Sequence, residues 1–88
     1  MAITVYVLKL SNNSYYTGIT KDLNNRLQQH NKGQSKSTRH GRPITLIYSV
    51  ELPDYKQARW LEVKIKNRGA SRYLRQLRSN NLVQLVRR

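Results

Sequence analysis

Five side chains of this 88-residue chain are spaced so that they could meet in one site and act on a phosphodiester. In-line attack on a diester needs a positioned water, a proton acceptor and positive charge near the developing phosphorane. Two phenols, an imidazole, a guanidinium and a carboxylate could supply these functions between them. The candidate catalytic residues are Tyr6, Tyr16, Arg26, His30 and Glu62.

Each candidate has a role that follows from its chemistry. Tyr6 would accept the proton of the water if a cation and Arg26 lowered its phenol pKa from about 10. Tyr16 would orient the water or the phosphate. Arg26 can bind the scissile phosphate through two parallel hydrogen bonds. His30 would hold a phosphate oxygen, orient Tyr6 or relay a proton, and Gly18 would let backbone and substrate approach closely.

Glu62 requires an explanation because the chain has only four acidic residues. Two of them, Asp22 and Asp54, stand where helices are predicted to begin. Glu62 falls in the middle of a predicted helix, at the edge of its buried face. It could ligate a metal ion there, or it could pair with Lys66 or Arg59 on its own helix, an interaction worth only tenths of a kcal/mol.

The other candidates also have purely structural interpretations. A tyrosine in a strand is usually a half-buried sheet residue, and a histidine near a helix C-terminus can complement the helix dipole. An arginine on a helix is usually solvated. Arg26 has His30 rather than an acid four residues away, so two adjacent cations would favour an anion between them.

The first half of the chain predicts a hairpin followed by a helix. Residues 4–10 are β-branched and apolar, turn formers follow at 11–14, and residues 15–19 return as a second strand. If the two strands pair, Tyr6 and Tyr16 lie near each other. Asp22 is predicted to be the N-cap of a helix that ends near Asn31. Residues 32–42 then contain almost nothing apolar and predict a mobile, positively charged loop.

The second half predicts a strand and two helices. A third strand covers residues 45–50, and Asp54 caps a helix that ends at Gly69. Ser71 is predicted to cap a third helix, with an apolar inner side and an outer side of arginines. The inner residues are Tyr73, Leu74 and Leu77, and the outer ones are Arg72, Arg75 and Arg78. The apolar segment 82–88 could add a strand or pack against another subunit.

Charge and length limit the class of protein. Seventeen Lys and Arg residues against four acids give a net charge of +13, which favours a polyanionic partner, with nucleic acid the leading candidate. Charge alone fits a ribosomal or nonspecific nucleic-acid-coating protein equally well. The candidate phosphate contacts, each with solvation as the default, are Lys36, Arg39, Arg42, Arg72 and Arg75.

The length predicts a single domain over residues 1–88. Because the chain lacks Cys, any metal ion must bind oxygen or imidazole ligands. No signal peptide and no apolar run of membrane-spanning length are visible, which predicts no membrane partner and an intracellular location, in the cytoplasm or at the nucleoid.

The motifs resemble those of the GIY-YIG nuclease family. The run Val5-Tyr6-Val7-Leu8 is followed by Tyr16-Thr17-Gly18 and then by Arg26-Leu27 and His30-Asn31, as in small single-domain members whose second motif reads Tyr-Thr-Gly. The similarity continues through Pro43 and Leu46 to Ala58, Glu62, Ile65 and Lys66, and covers roughly residues 4–78. In the first motif, Thr4-Val5-Tyr6 stands where the family name gives Gly-Ile-Tyr.

The resemblance implies an α+β fold with a small three-stranded antiparallel sheet flanked by about three helices. It also implies a metal-dependent DNA endonuclease with one divalent cation, Mg²⁺ or Mn²⁺, ligated by Glu62. The alternatives are a catalytically silent nucleic-acid-binding module and a ribosome-associated RNA-binding protein.

A chain with no room for a separate DNA-reading domain is expected to recognise single strands or branched structures rather than a long sequence. The oligomeric state stays open, although one active site would need a homodimer or two sequential nicks for a double-strand cut. Repair, recombination, restriction and mobile-element biology are all compatible with the sequence.

Overall fold

A computed structural model describes residues 2–77 as a three-stranded antiparallel sheet with helices on both faces. The strands are β1 (Ile3–Lys9), β2 (Tyr15–Thr20) and β3 (Thr45–Leu52), and the helices are α1 (Leu23–Asn31) and α2 (Tyr55–Arg68). A single 3-10 turn, Arg39–Gly41, lies between α1 and β3. A third helix follows α2 and covers 70–77 of the described residues. The predicted α+β fold is confirmed.

The central strand β1 pairs with β2 on one edge and with β3 on the other, and all but the last of its side chains are buried. Side chains alternate across a strand, so β1 contributes to two apolar clusters. Ile3, Val5 and Val7 pack against α2 and the third helix. Tyr6 and Leu8 belong to the second cluster, which also includes Leu10 and which Leu23 and Leu27 of α1 cover.

Both predicted helix starts are confirmed by hydrogen bonds to the backbone. The carboxylate of Asp22 accepts from the N–H of Asn25 at 3.1 Å, and that of Asp54 accepts from the N–H of Gln57 at 2.9 Å. These bonds satisfy donors that the first helical turn leaves unpaired. Two of the four acids are therefore structural.

The third helix begins earlier than predicted, so the assignment of Ser71 as its cap is wrong. Residue 70 is already helical, and the carbonyl of Gly69 accepts from the N–H of Tyr73 at 2.9 Å. The N–H of Gly69 donates to the carbonyl of Ile65 at 2.8 Å, so one residue ends α2 and starts the next helix. Its φ of 91° suits glycine. Arg78 and the predicted tail segment 82–88 lie outside the described residues.

The connection between α1 and β3 is anchored, which corrects the prediction of a mobile loop. Thr38 is fully buried, and the carbonyl of Gly41 accepts from the N–H of Ser11 at 2.8 Å. The guanidinium of Arg39 donates to the carbonyl of Gly33 at 3.1 Å, and that of Arg42 donates to the carbonyl of Arg39 at 3.0 Å. The loop is held by polar contacts rather than by apolar side chains, so the absence of apolar residues was misleading.

Within the part of the chain that the structure describes, no helix combines the length and the apolar character that a membrane crossing requires.

Candidate active site

The aromatic ring of Tyr6 lies directly over Gly18. The β1–β2 register places these two residues opposite each other, and a Cβ added to Gly18 would come within 2.5 Å of the Tyr6 hydroxyl oxygen. Because β2 is an edge strand, this crossing carries the hydroxyl to the edge of the sheet. The space over Gly18 is thus filled by Tyr6, which corrects the prediction that Gly18 makes room for substrate.

A buried chain of three polar groups runs from this phenol into the α1–β3 connection. The Tyr6 hydroxyl lies 3.0 Å from Nε2 of His30, and Nδ1 of His30 lies 2.7 Å from Oγ1 of Thr38. All three residues are at most 1% exposed. Both ring nitrogens of His30 are therefore engaged inside the protein, so His30 can orient Tyr6 or relay a proton but has no nitrogen left for a phosphate oxygen.

Burial determines the protonation states of Tyr6 and His30. Burial, followed by the coupling to Tyr16, raises the pKa of Tyr6 well above its ordinary value of 10, and only the charge of Arg26 acts in the opposite direction. Desolvation thus outweighs Arg26, and the lowering of the Tyr6 pKa by a bound cation stays a prediction. Burial, with a smaller contribution from Arg26, lowers the pKa of His30 below 6.5. Both groups are neutral near pH 7.

Tyr16 lies between the buried pair and the surface. Its ring centroid is 6.3 Å from that of Tyr6 and 5.2 Å from that of His30, and the residue is half-buried. The two tyrosines are near each other as predicted, but diagonally, because Leu8 is the residue opposite Tyr16 in the register. Tyr16 is thus the aromatic residue of this cluster that solvent can reach.

Arg26 is exposed on α1 and close enough to lower the pKa values of both Tyr6 and His30. One of its guanidinium nitrogens, Nη1, donates to Oε1 of Gln29 at 3.1 Å. The prediction of two adjacent cations that need an anion between them is wrong, because His30 is buried and neutral. A guanidinium has five donors, so Arg26 keeps donors for an incoming anion.

Glu62 is 5% exposed although it carries a charge. Its Oε1 pairs with Nη1 of Arg59 and its Oε2 with Nζ of Lys66, both at 3.1 Å. The negative charge of Glu62 has one of the smaller effects on the raised pKa of Tyr6, after burial, Tyr16 and Arg26. The structure therefore contains the two ion pairs that were the alternative to a metal-binding role for Glu62. It also buries Glu62, which ion pairs on a helix surface do not require.

A divalent cation fits this carboxylate. In residues 2–77, no three His, Asp or Glu side chains come together as a complete metal cage. Mg²⁺, however, keeps several waters and is commonly held by one or two carboxylates together with substrate phosphates. Arg59 and Lys66 occupy one oxygen of Glu62 each, so a cation would have to displace at least one of them. Glu62 is the residue that would hold the cation.

The candidate phosphate contacts come from two elements of the fold. All five side chains are exposed. Lys36, Arg39 and Arg42 belong to the α1–β3 connection, where two of the three side chains bind backbone carbonyls. Arg72 and Arg75 lie on the third helix, and Arg75 lines a groove with Lys9 and Tyr15.

Thr38 is the residue that sequence reasoning missed. It lies among Ser, Thr and basic residues that are typical of a solvated loop, and no local pattern marks it as buried. It fixes one nitrogen of His30, and a hydrogen-bond partner of this kind decides which nitrogen carries the proton. Only the folded chain brings Thr38 to the end of α1.

The buried, neutral His30 predicts that acid destabilises the fold. The unfolded chain binds a proton on this residue near pH 6.5, whereas the folded pKa is lower. Stability is therefore fully present above pH 6.5 and falls as the pH drops, by at most about 1.4 kcal/mol per pH unit for one proton. We expect urea unfolding at pH 7 and pH 5 to show this loss.

The control is His40→Gln, because His40 is exposed. His40→Gln should keep the loss of stability between pH 7 and pH 5, whereas His30→Gln should show a smaller one. Equal pH dependence in the two variants would mean that His30 is already free to take up a proton in the folded state.

Comparisons with known proteins agree with these motifs. The family model of the GIY-YIG catalytic domain matches residues 2–75. A UPF0213 protein of Pediococcus pentosaceus is 37% identical over 78 residues, which cover 88% of this chain and 82% of that protein. A UPF0213 protein of Staphylococcus aureus is 39% identical over 72 residues, which cover 81% and 88%. The solution NMR structure of a UPF0213 protein from Bacillus halodurans is 29% identical, with a TM-score of 0.52, and the match covers 97% of this chain and 85% of that one.

Proposed function

The chain belongs to the GIY-YIG catalytic domain family, and on this premise we propose that it is a metal-dependent DNA endonuclease that hydrolyses phosphodiester bonds. Nuclease activity on nucleic acid is the general activity of the family. The observation that carries the proposal is the carboxylate of Glu62, which is buried in a strongly cationic chain. A net charge of +13 supports the polyanionic substrate.

Proton removal from the attacking water is assigned to Tyr6 acting through His30. In the tautomer that this role needs, Nδ1–H of His30 donates to Thr38 and the Tyr6 O–H donates to Nε2. The Tyr6 oxygen takes a proton from the water as it passes its own proton to Nε2. Neither group has to ionise beforehand, which suits a phenol with a raised pKa and an imidazole with a lowered one.

Phosphate binding is assigned to the two residues of the cluster that solvent reaches. Arg26 is exposed and has free donors, so it can bind two oxygens of the scissile phosphate and offset the charge that develops there. Tyr16 touches both buried aromatic rings from the outer side. Its hydroxyl would orient the water or a phosphate oxygen.

Glu62 would hold the single divalent cation, Mg²⁺ or Mn²⁺, because it is the only carboxylate among the five candidate catalytic residues. When bound, such a cation supplies Lewis acidity to the phosphoryl group and to the leaving oxygen. Glu62 is a full negative charge kept away from bulk water by the fold. A module that only binds phosphate would gain nothing from a buried anion in a cationic protein.

The second candidate function is a catalytically silent nucleic-acid-binding module. The two ion pairs of Glu62 favour it, because they satisfy both carboxylate oxygens without a metal ion. The two functions differ in one measurable respect, since a silent module binds DNA but leaves it intact at every metal concentration.

Cleavage of labelled DNA tests the proposal. The purified chain is incubated with single strands, duplex, flaps and four-way junctions in Mg²⁺, in Mn²⁺ or in EDTA, and the products are resolved on denaturing gels. We expect cutting with either metal ion and none in EDTA, with single strands or branched substrates preferred over plain duplex. If DNA is bound but stays intact under all metal conditions, the endonuclease is refuted and the silent binding module is the function that fits.

Salt provides the control for binding through phosphate. Because each bound phosphate releases counterions, affinity should fall steeply between 50 and 200 mM salt, by about 10³-fold or more if six or more phosphates are contacted. Binding that is independent of salt would contradict recognition through phosphate.

A further inference from the structure

In the structure of residues 2–77, the outward side of α2 exposes apolar surface. Trp60 is 64% exposed and Val63 is 41% exposed, whereas Ala58 and Ile65 on the inward side are fully buried. A shallow groove runs along this outward side. We call it the α2 outer groove, and its lining residues are Arg59, Trp60, Val63, Lys64, Asn67 and Arg68.

The charge of the α2 outer groove has one sign. Three of its lining residues are cationic and none is acidic. The ammonium group of Lys64 lies over the Trp60 ring, 5.0 Å from its centroid, so a positive charge already covers one face of the indole. An apolar protein partner would have to bury these cations, whereas a strand of nucleic acid brings both phosphates to pair with them and a flat base to cover the indole.

We propose that Trp60 is a stacking site for an unpaired base of a DNA strand whose phosphates contact Arg59, Lys64 and Arg68. The site lies outside the Tyr6–His30 cluster. Arg59 connects the two, because it lines the α2 outer groove and also pairs with Glu62. The inference rests on the proposed function, since the strand held here would be continuous with the one that enters the cleavage site.

The base must be unpaired because a duplex offers no free base face. In a double helix each base is stacked on its neighbours, so only phosphates are open to a convex helix surface. In a single strand every base has a face that an exposed aromatic ring can cover, and this contact is tolerant of sequence. The α2 outer groove would therefore bind unpaired strands in preference to duplex, whatever their sequence.

Trp60 reports on its own occupancy because it is the only tryptophan of the chain. The full chain is titrated in EDTA with an oligonucleotide, with a duplex of the same sequence and with an abasic oligonucleotide of equal length, and indole fluorescence and fluorescence anisotropy are followed. We expect the single strand to quench the indole emission, and the duplex and the abasic strand to bind without comparable quenching. Equal quenching by all three would overturn the proposal.

A matched pair of variants tests the energetic contribution. Tyr55 is 59% exposed on the same helix but does not line the α2 outer groove. Trp60→Leu should weaken single-strand affinity about tenfold, the scale of one stacked base, and should leave affinity for the abasic strand unchanged. Trp60→Phe should recover part of the loss, and Tyr55→Leu should bind like the parent chain. Equal affinities of the Trp60→Leu and Tyr55→Leu variants would overturn the proposal.

Two further results separate the stacking site from the endonuclease activity and from self-association of the chain. Binding is measured in EDTA, so a chain that stacks bases but never cuts DNA would refute the endonuclease and not the stacking site. A chain that cuts DNA while Trp60→Leu binds normally would refute only the stacking site. Trp60 emission that shifts with protein concentration in the absence of DNA would show that a second copy of the chain covers the groove, and would overturn the proposal.

Discussion

Glu62→Gln is expected to reduce DNA cleavage by on the order of 10³-fold or more and to leave DNA binding in place. Losing the Lewis acid that a carboxylate holds removes several kcal/mol of transition-state stabilisation, and about 4 kcal/mol corresponds to three orders of magnitude in rate. Glutamine keeps the shape of the side chain and removes its charge. The released side chains of Arg59 and Lys66 are more than half exposed, so water can solvate them and the fold should survive.

Glu51→Gln is the matched control because Glu51 is an exposed carboxylate on β3. It changes the net charge by the same amount, so it should cut DNA like the parent chain. Single-turnover cleavage and anisotropy in EDTA, measured on both variants, separate chemistry from binding. Parent-like cleavage by Glu62→Gln would remove Glu62 from the mechanism, and equal losses in both variants would point to charge alone.

Gly18→Ala should be the second most damaging substitution, for a steric reason. The new Cβ would lie 2.5 Å from the hydroxyl oxygen of Tyr6 and 2.7 Å from its Cζ. The ring is buried against His30 and Tyr16, so it has little room to retreat. We expect a loss of about 1–3 kcal/mol in the free energy of unfolding, as for other overpacked cores, and about a 10²-fold loss of cleavage because the phenol is misplaced.

A double-mutant cycle with Tyr6→Phe checks this steric cause. Removing the hydroxyl deletes the atom nearest to the new methyl group, so Gly18→Ala should cost less stability in the Tyr6→Phe background than in the parent chain. Urea denaturation of the four proteins gives the coupling energy. Strictly additive losses would mean that Gly18 is required for a reason other than the space that Tyr6 occupies.

Local chemistry made much of the fold predictable from sequence. Asp22 and Asp54 could be identified as helix starts because an N-cap bond joins residues only three positions apart. The hairpin of β1 and β2 followed from two apolar runs around a turn. Where one residue served two elements, local reasoning failed: Gly69 ends α2 and starts the next helix, so the search for a separate cap led to Ser71.

The interior of the candidate site could not be predicted in the same way. The buried position of Thr38 depends on how the α1–β3 connection folds back over α1, which no neighbouring residue encodes. The protonation of Tyr6 depends on how completely it is desolvated, and sequence indicates which charges are present but not how deeply a phenol is enclosed. The requirement for glycine at position 18 was predicted to allow close approach of the substrate. The sequence does not show that the ring of Tyr6, from the neighbouring strand, fills this space.

If Glu62 holds the cation as proposed, its ion pairs imply that the cation and the DNA promote each other's binding. Since Arg59 and Lys66 already neutralise both carboxylate oxygens, Glu62 can exchange them for a dication only when they find another anion, and the phosphates of DNA are such an anion. Such coupling is reciprocal, so each ligand raises the affinity for the other by the same factor. On the proposed function, the chain would bind Mg²⁺ weakly until DNA supplies phosphates for Arg59 and Lys66.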